Sequence, residues 1–438
     1  MKLRVVVFLV LTAAAIAARQ QRPYLNAAVE AAHWIESNAI KSDHGATWPT
    51  IPPDKKTINT SLYSGTPGIV LFFLEAYRDT GDKRYLTDAR GGADSLIASL
   101  SQEKQTGLYT GLAGIGFALE ETYKTTHDSK YRDATIACVQ KIKDSAVKAG
   151  RGVQWSDTND IISGTAGTGL FLLYAARELN DHAARDLAAG AGKRLIEVGH
   201  PDSGGLRWMI DSKYPRNMPN FSHGTAGITY FLTTLYADTK EKEFLDAALL
   251  GAKYLISIAN TEGDQCLIFH ADPDGKNRYY LGWCHGPAGT ARTFYRLYQV
   301  TGDNTWMDWT KKSMRGLLNS GIPEKRTDGF WNNVGWCCGS ASVAQFALEM
   351  YEITKDKNYL DFARRLTSDL LARGTREGDD MKWSHAENRV KPGELTAQTG
   401  LMQGAAGIGL WLLHLDEFER DKKDWINLPD SPFGANSH

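Results

Sequence analysis

The chain has 438 residues, 42% of them hydrophobic and 23% charged, which is apolar material enough for a large buried core. Its 50 basic and 51 acidic residues leave a formal net charge of -1. That balance excludes the basic face on which nucleic-acid binding depends, and no run of like charge is long enough to form an interaction tail.

The amino terminus departs from this average. Lys2 and Arg4 precede an apolar stretch from Val5 to Ala18, and Ala15-Ile16-Ala17 supplies a small-residue cleavage pattern. Basic, apolar and small regions in that order read as a secretory signal peptide over residues 1–18. The alternative is an uncleaved anchor, but a permanent span needs about 20 apolar residues. No second hydrophobic span follows. The expectation is a secreted or periplasmic mature protein, monomeric and without stable membrane insertion, forming one domain over residues 19–438.

Seven related turns punctuate that domain. Ser64-Gly-Thr-Pro-Gly, Thr110-Gly-Leu-Ala-Gly and Ser163-Gly-Thr-Ala-Gly come first. His223-Gly-Thr-Ala-Gly, His285-Gly-Pro-Ala-Gly, Cys338-Gly-Ser-Ala-Ser and Gln403-Gly-Ala-Ala-Gly follow. Their first glycines are separated by 46, 53, 60, 62, 53 and 65 residues, room for two helices and loops each time. A run apolar on nearly every side follows the turns, as in Ile69 to Tyr77, and an amphipathic stretch such as Tyr85-Leu-Thr-Asp-Ala comes next. Repetition at this period predicts an all-α fold, an α/α toroid (barrel) of seven helical-hairpin repeats and about fourteen helices. Period-2 alternation is absent, so sheet content should be small. Two small residues three apart let the chain turn tightly and open a helix, whose first N–H groups then favour negative charge.

Five cysteines remain, an odd number that in an oxidising compartment leaves at least one free, metal-bound or paired between chains. Cys138 lies in an amphipathic helical pattern and reads as a buried structural thiol. Cys284, Cys337 and Cys338 sit at the fifth and sixth turns. As bare chemistry they could be zinc ligands, disulfide partners (with Cys266 or one another) or inert thiols.

Trp283-Cys-His-Gly-Pro-Ala-Gly289 and Gly335-Trp-Cys-Cys-Gly339 resemble the paired metal motifs of the lanthionine synthetase C-like family, the lantibiotic cyclases and their relatives. The similarity covers all seven repeats, residues 60 to 415. It implies an α/α toroid with Zn2+ at one end, held by a cysteine of the fifth repeat and a cysteine–histidine pair of the sixth. Cys284 and Cys337 match the cysteines, and Cys338 stands where the family has histidine. The resemblance also implies catalytic roles for His223, in Ser222-His-Gly-Thr-Ala-Gly, and for Asp160 on the neighbouring turn. The implied reaction is addition of a cysteine thiol to a dehydroamino acid, with a peptide or a small thiol or electrophile as substrate. The bland readings are a helix-capping His223 and a helix-start Asp160.

Three thiolates would make a less Lewis-acidic zinc than two thiolates and an imidazole, suiting thiol alkylation better than carbonyl polarisation. Adjacent His285 is a substitute ligand. Arg278 stands near, but not at, the offset of an arginine that the cyclases carry before the first metal cysteine. Trp383, His385 and Arg389 are candidates for the mouth of the barrel, and Asp272-Pro-Asp-Gly-Lys reads as turn chemistry. Two other readings use the same scaffold. One is a carbohydrate-active enzyme working through Asp157, Asp160 and Glu394. The other is a non-catalytic scaffold in which zinc ties repeats five and six together.

Overall fold

A computed structural model describes residues 22–211, 213 and 216–434; the expected signal segment 1–18 lies outside them. Among the described residues are fourteen α-helices, the expected number: α1 (Pro23–Ser37), α2 (Thr66–Thr80), α3 (Lys83–Ser99), α4 (Leu112–Thr126), α5 (Ser129–Asp144), α6 (Thr165–Leu179), α7 (His182–Glu197), α8 (Thr225–Thr239), α9 (Lys242–Ser257), α10 (Pro287–Thr301), α11 (Asn304–Asn319), α12 (Ser340–Thr354), α13 (Lys357–Ala372) and α14 (Ala405–Glu419). A short 3-10 helix (Lys55–Thr57) and five hairpins of three-residue strands complete the regular structure: β1 (Ile40–Ser42) with β2 (Gly45–Thr47), β3 (Val147–Ala149) with β4 (Gly152–Gln154), β5 (His200–Asp202) with β6 (Gly205–Arg207), β7 (Thr375–Glu377) with β8 (Asp380–Lys382), and β9 (Ser384–Ala386) with β10 (Leu395–Ala397). None of these helices is long and apolar enough to cross a membrane.

Each glycine-marked turn opens an inner helix at the residue after its first glycine, and every inner helix is 15 residues long. Six of the seven stop at a left-handed residue: Gly81, His127, Asn180, Lys240, Gly302 or Lys355. One residue later an acidic side chain begins the outer helix. Asp82, Asp128, Asp181, Asp303 and Asp356 each accept a backbone N–H from the first turn, whereas Glu241 does not. Start and stop signals are thus written into each repeat, and the apolar inner helices pack against amphipathic outer ones.

The turns hold one another in a closed belt. The Tyr63 N–H donates to the Tyr109 carbonyl (3.0 Å), Tyr109 to Ile162 (2.8 Å), Ile161 to Ser222 (3.2 Å) and Ser222 to Cys284 (2.9 Å). Cys284 then donates to Cys337 (3.0 Å), Cys337 to Met402 (2.7 Å), and Met402 back to Tyr63 (2.8 Å). The second glycine of each turn lets the chain double back beneath this belt. A Cβ on Gly227 would lie 2.1 Å from the Phe221 carbonyl oxygen, and one on Gly407 would lie 1.8 Å from that of Leu401. Ser342, the one exception, takes the Trp283 N–H on its hydroxyl at 3.2 Å.

The ring closes with helices from both ends of the chain. The outer partner of α14 is α1, and α14 also packs against α2. Arg22, just before α1, sits at this seam, 2.5 Å from Asp416 of α14 and 3.1 Å from Asp79 of α2; Arg420 joins the same two carboxylates. After α14 the chain turns into the barrel. The Ile426 N–H donates to Glu75 at 2.6 Å, Gln299 donates to the Pro432 carbonyl at 2.8 Å, and Phe433 stacks on Tyr295. Asp430, fully buried, accepts from the hydroxyl of Tyr109, a residue of the belt, at 3.1 Å. The segment therefore runs inside the barrel from its far end to just beneath the turns, leaving a cavity of about 750 Å³ against the inner helices.

Gly407→Ala drives a Cβ into backbone and should cost about 3 kcal/mol or more. Gly81→Ala meets nothing within 4 Å and pays only for its left-handed backbone, φ +72°, about 1 kcal/mol. Urea midpoints of the two variants should fall in that order.

Candidate functional site

Seven residues directly precede the turn glycines. All but Ser163 of these seven line one cavity of about 560 Å³: Ser64, Thr110, His223, His285, Cys338 and Gln403. Cys284 and Cys337, one position earlier on adjacent rungs of the belt, line it too.

The rungs bring the three sulfurs together. Cys338 Sγ lies 3.3 Å from both Cys284 Sγ and Cys337 Sγ, and all three atoms lie within 4.8 Å of one another. Among the described residues this is the one group of three or more His, Cys, Asp or Glu side chains spaced to hold a metal ion. All five cysteines are free thiols. Cys284 is pushed well above the ordinary thiol range by burial and then by its sulfur neighbours. Cys337 is held well below it by hydrogen bonds from Cys284 and Cys338, with the Tyr63 hydroxyl adding to them. Cys338, the sulfur in contact with both others, is pushed well above that range, so the cluster favours a single thiolate on Cys337. Three sulfurs so spaced suit one zinc ion with bonds of about 2.3 Å, and a three-thiolate set leaves the fourth tetrahedral position for a ligand from the cavity. Cys138 and Cys266 are separate, each pushed by burial to about 12, as structural thiols are.

On the same mouth His223 Nδ1 lies 2.6 Å from Asp160 Oδ2. Asp160, 1% exposed, uses its other oxygen to accept the N–H groups of Ser163 (2.8 Å) and Gly164 (2.9 Å). It is thus both the turn-start carboxylate and the holder of the histidine. Burial opposes charge on His223, but the Asp160 hydrogen bond and charge outweigh it and raise its pKa above the ordinary value. With Nδ1 held, Nε2 is left to the cavity.

A second pair of histidines behaves oppositely. Burial keeps His285 well below the ordinary range, and its Nδ1 has no partner. His270, edge-on to it at 4.6 Å, is lowered to about 4 by burial and then by Arg278, Arg216 and Arg389. His270 stacks on Tyr280 at 4.2 Å, and Arg389 Nε donates to the Tyr280 hydroxyl at 3.2 Å.

Other sequence candidates fall elsewhere. Arg389 lines the cavity, whereas Arg278 is outside its lining and acts on it through its charge on His270 and Tyr280. Trp383 gives its N–H to the Leu370 carbonyl, and His385 is buried within β9; neither lines the cavity. Asp157 is exposed beside Gln154, and Glu394 is exposed and paired with Lys391, so the carboxylates considered for sugar chemistry do not assemble. Asp272 pairs with Lys276 across its turn at 3.0 Å. His270, Tyr280, Trp331 and Tyr63 escaped sequence reasoning. For Tyr63 a signal existed, because it occupies the same offset before its glycine as Cys284 does.

The family described as "Lanthionine synthetase C-like protein" matches residues 56–428. Among solved structures, nisin cyclase superposes over 92% of this chain and 93% of its own, with a TM-score of 0.62 and 17% identity. The Lin0763 protein from Listeria innocua covers 92% of this chain and 99% of its own, with a TM-score of 0.51 and 12% identity. At such identities these likenesses show a shared fold.

Asp160→Asn removes what holds His223 charged, so burial should then prevail. The His223 ring titration, followed by NMR, should move from above the ordinary value of about 6.5 to below it. Because the folded-state pKa is raised, the pair's contribution to stability is complete below that ordinary value and fades as pH rises through the folded one. The variant's stability deficit should therefore be largest at acidic pH.

Proposed function

Because the chain belongs to the lanthionine synthetase C-like family, we propose that it adds a thiol, such as a cysteine side chain, to a dehydroalanine or dehydrobutyrine in a peptide. The observation that carries this reading is the shared cavity: three clustered thiols and a carboxylate-held histidine open onto the same space.

Cys284, Cys337 and Cys338 would hold zinc, which when bound supplies the Lewis acidity that turns a substrate thiol into a thiolate near neutral pH, with enough nucleophilic character left by an electron-rich ligand set. The chain's own residues account for the rest. As sulfur attacks the β-carbon and the C–S bond forms, the double-bond electrons move toward the adjacent carbonyl. His223, charged through Asp160, delivers a proton from Nε2 to the α-carbon, and the proton lost by the thiol restores it. Neutral His285 and His270, with Tyr280 and Trp331, form a wall that limits water around the developing enolate. We read the amino-terminal pattern as export, so the substrate would be met outside the cytoplasm.

The purified chain should carry about one zinc per molecule, lost in a Cys337→Ser/Cys338→Ser double variant. Mass spectrometry should then detect thiol addition to a dehydroalanine peptide. His223→Asn should keep the metal and lose about 10²–10⁴-fold in kcat. In Asp160→Asn the alkaline limb of kcat should shift toward acid, as the His223 acid form is lost at lower pH. A metal-free wild type that leaves the peptide unchanged would overturn the reading.

A further inference from the structure

Three cysteine sulfurs face the space that an electrophilic alkene must enter. A cysteine thiolate is itself a nucleophile, so Cys284, Cys337 and Cys338 compete with an incoming thiol for the β-carbon. Cys284 and Cys337 are each only 4% exposed, whereas Cys338 is half-buried and the most open to attack.

The next two turns of the belt supply hydrogen-bond donors in place of further sulfurs. The Cys337 N–H donates to Met402 and that of Met402 to Tyr63, which sets Gln403 and Tyr63 beside the sixth turn. Gln403 is 2% exposed, and its Nε2 lies 3.8 Å from Cys338 Sγ and 3.2 Å from the Tyr63 hydroxyl. The direction of this amide is fixed. Its Oε1 accepts from Asn333 Nδ2 at 2.9 Å, and Asn333 is held in turn by the Ala386 carbonyl (3.1 Å) and the Gly335 N–H (2.9 Å). Turning the amide oxygen toward the sulfur would therefore lose the Asn333 bond. The Tyr63 hydroxyl accepts from Gln403 and gives its own proton to Cys337. Neither donor bonds Cys284, whose sulfur faces Cys338 at 3.3 Å.

A donor placed on a thiolate withdraws charge from sulfur, and a less basic sulfur is a weaker nucleophile. Donors fixed on the chain's own sulfurs thus favour a thiol that arrives from the cavity. We propose that Gln403 and Tyr63 are positioning residues whose N–H and O–H, donated to Cys338 and Cys337, keep the chain's own thiolates from adding to the electrophile. This rests on the thiol-addition reading. The step suppressed is attack of a cysteine Sγ on the β-carbon, which forms one C–S bond, places a solvent proton on the α-carbon and releases no leaving group.

Zinc-loaded wild type, Tyr63→Phe and Gln403→Met, matched in zinc content and melting temperature, are incubated with N-acetyl-dehydroalanine amide and no added thiol. Intact mass reads the adducts and peptide mapping assigns them. Iodoacetamide, which alkylates sulfur with loss of iodide, is run in parallel as an electrophile that needs no proton delivered to carbon. Tyr63→Phe should speed alkylation of Cys337, and Gln403→Met that of Cys338, by about three- to tenfold over wild type. Cys284 should keep its wild-type rate. Unchanged rates at Cys337 and Cys338 would overturn the proposal, and so would an equal rise at all three cysteines, which is the mark of a loosened site. Iodoacetamide reports sulfur protection whether or not the wild type joins a thiol to an alkene, so failure of the thiol-addition reading is distinguishable from failure of this one.

Discussion

Seven backbone hydrogen bonds, passed from turn to turn until the last returns to the first, are the constraint from which the rest of this protein follows. A rung joins the amide two or three residues before one turn glycine to the matching carbonyl of the next. Adjacent turns must therefore approach to backbone contact, and the second glycine exists because a side chain there would strike the carbonyl passing six residues earlier. The belt also decides which side chains meet. Cys284 and Cys337 donate and accept across one rung, so their side chains start from neighbouring points, and Cys338 completes the group without any long loop having to be ordered. A site built on rungs inherits the rigidity of the ring.

The same geometry divides the histidines into two kinds. His223 and His285 occupy equivalent positions on consecutive turns, with ring centroids 5.6 Å apart, yet one is held toward its charged form and the other kept neutral. The difference lies in the neighbour each turn supplies. Asp160 reaches His223 from the preceding turn, already fixed by two N–H groups of its own helix start, while His285 faces His270 and aromatic rings. One repeat unit thus yields acid and neutral roles through a single carboxylate.

The architecture was legible because the repeats carry their own punctuation: glycines before every inner helix, a left-handed stop after six of them, and an aspartate opening five of the outer ones. The three cysteines were legible because they fall at fixed offsets from those glycines. Other features are not local. Nothing in Pro23–Ser37 marks it as the partner of a helix nearly four hundred residues later, beyond an amphipathic pattern shared with the other outer helices. The path of the residues after α14 is set in the same way from afar, since Asp430 ends among Tyr109 and Arg292. The Tyr280–His270–Arg389 wall gathers side chains from two different loops, which no spacing rule anticipates. Trp383 and His385 show the converse, since a conspicuous pair of residues close to a turn in sequence can still face the packing beneath a hairpin.

The pairing of α1 with α14 sets this ring apart from an open stack of repeats. In an open array each added hairpin finds its neighbour at once, stability grows unit by unit, and the end units need special polar faces. Here the first of the described helices waits for the last, with most of its apolar face uncovered until almost the whole chain is available. The contact that completes the structure is therefore among its most distant in sequence, which ties the last step of folding to loop closure. The mouth is one circuit, so partial assembly leaves the thiols on an unfinished arc. A complete cavity, on this topology, arrives all at once.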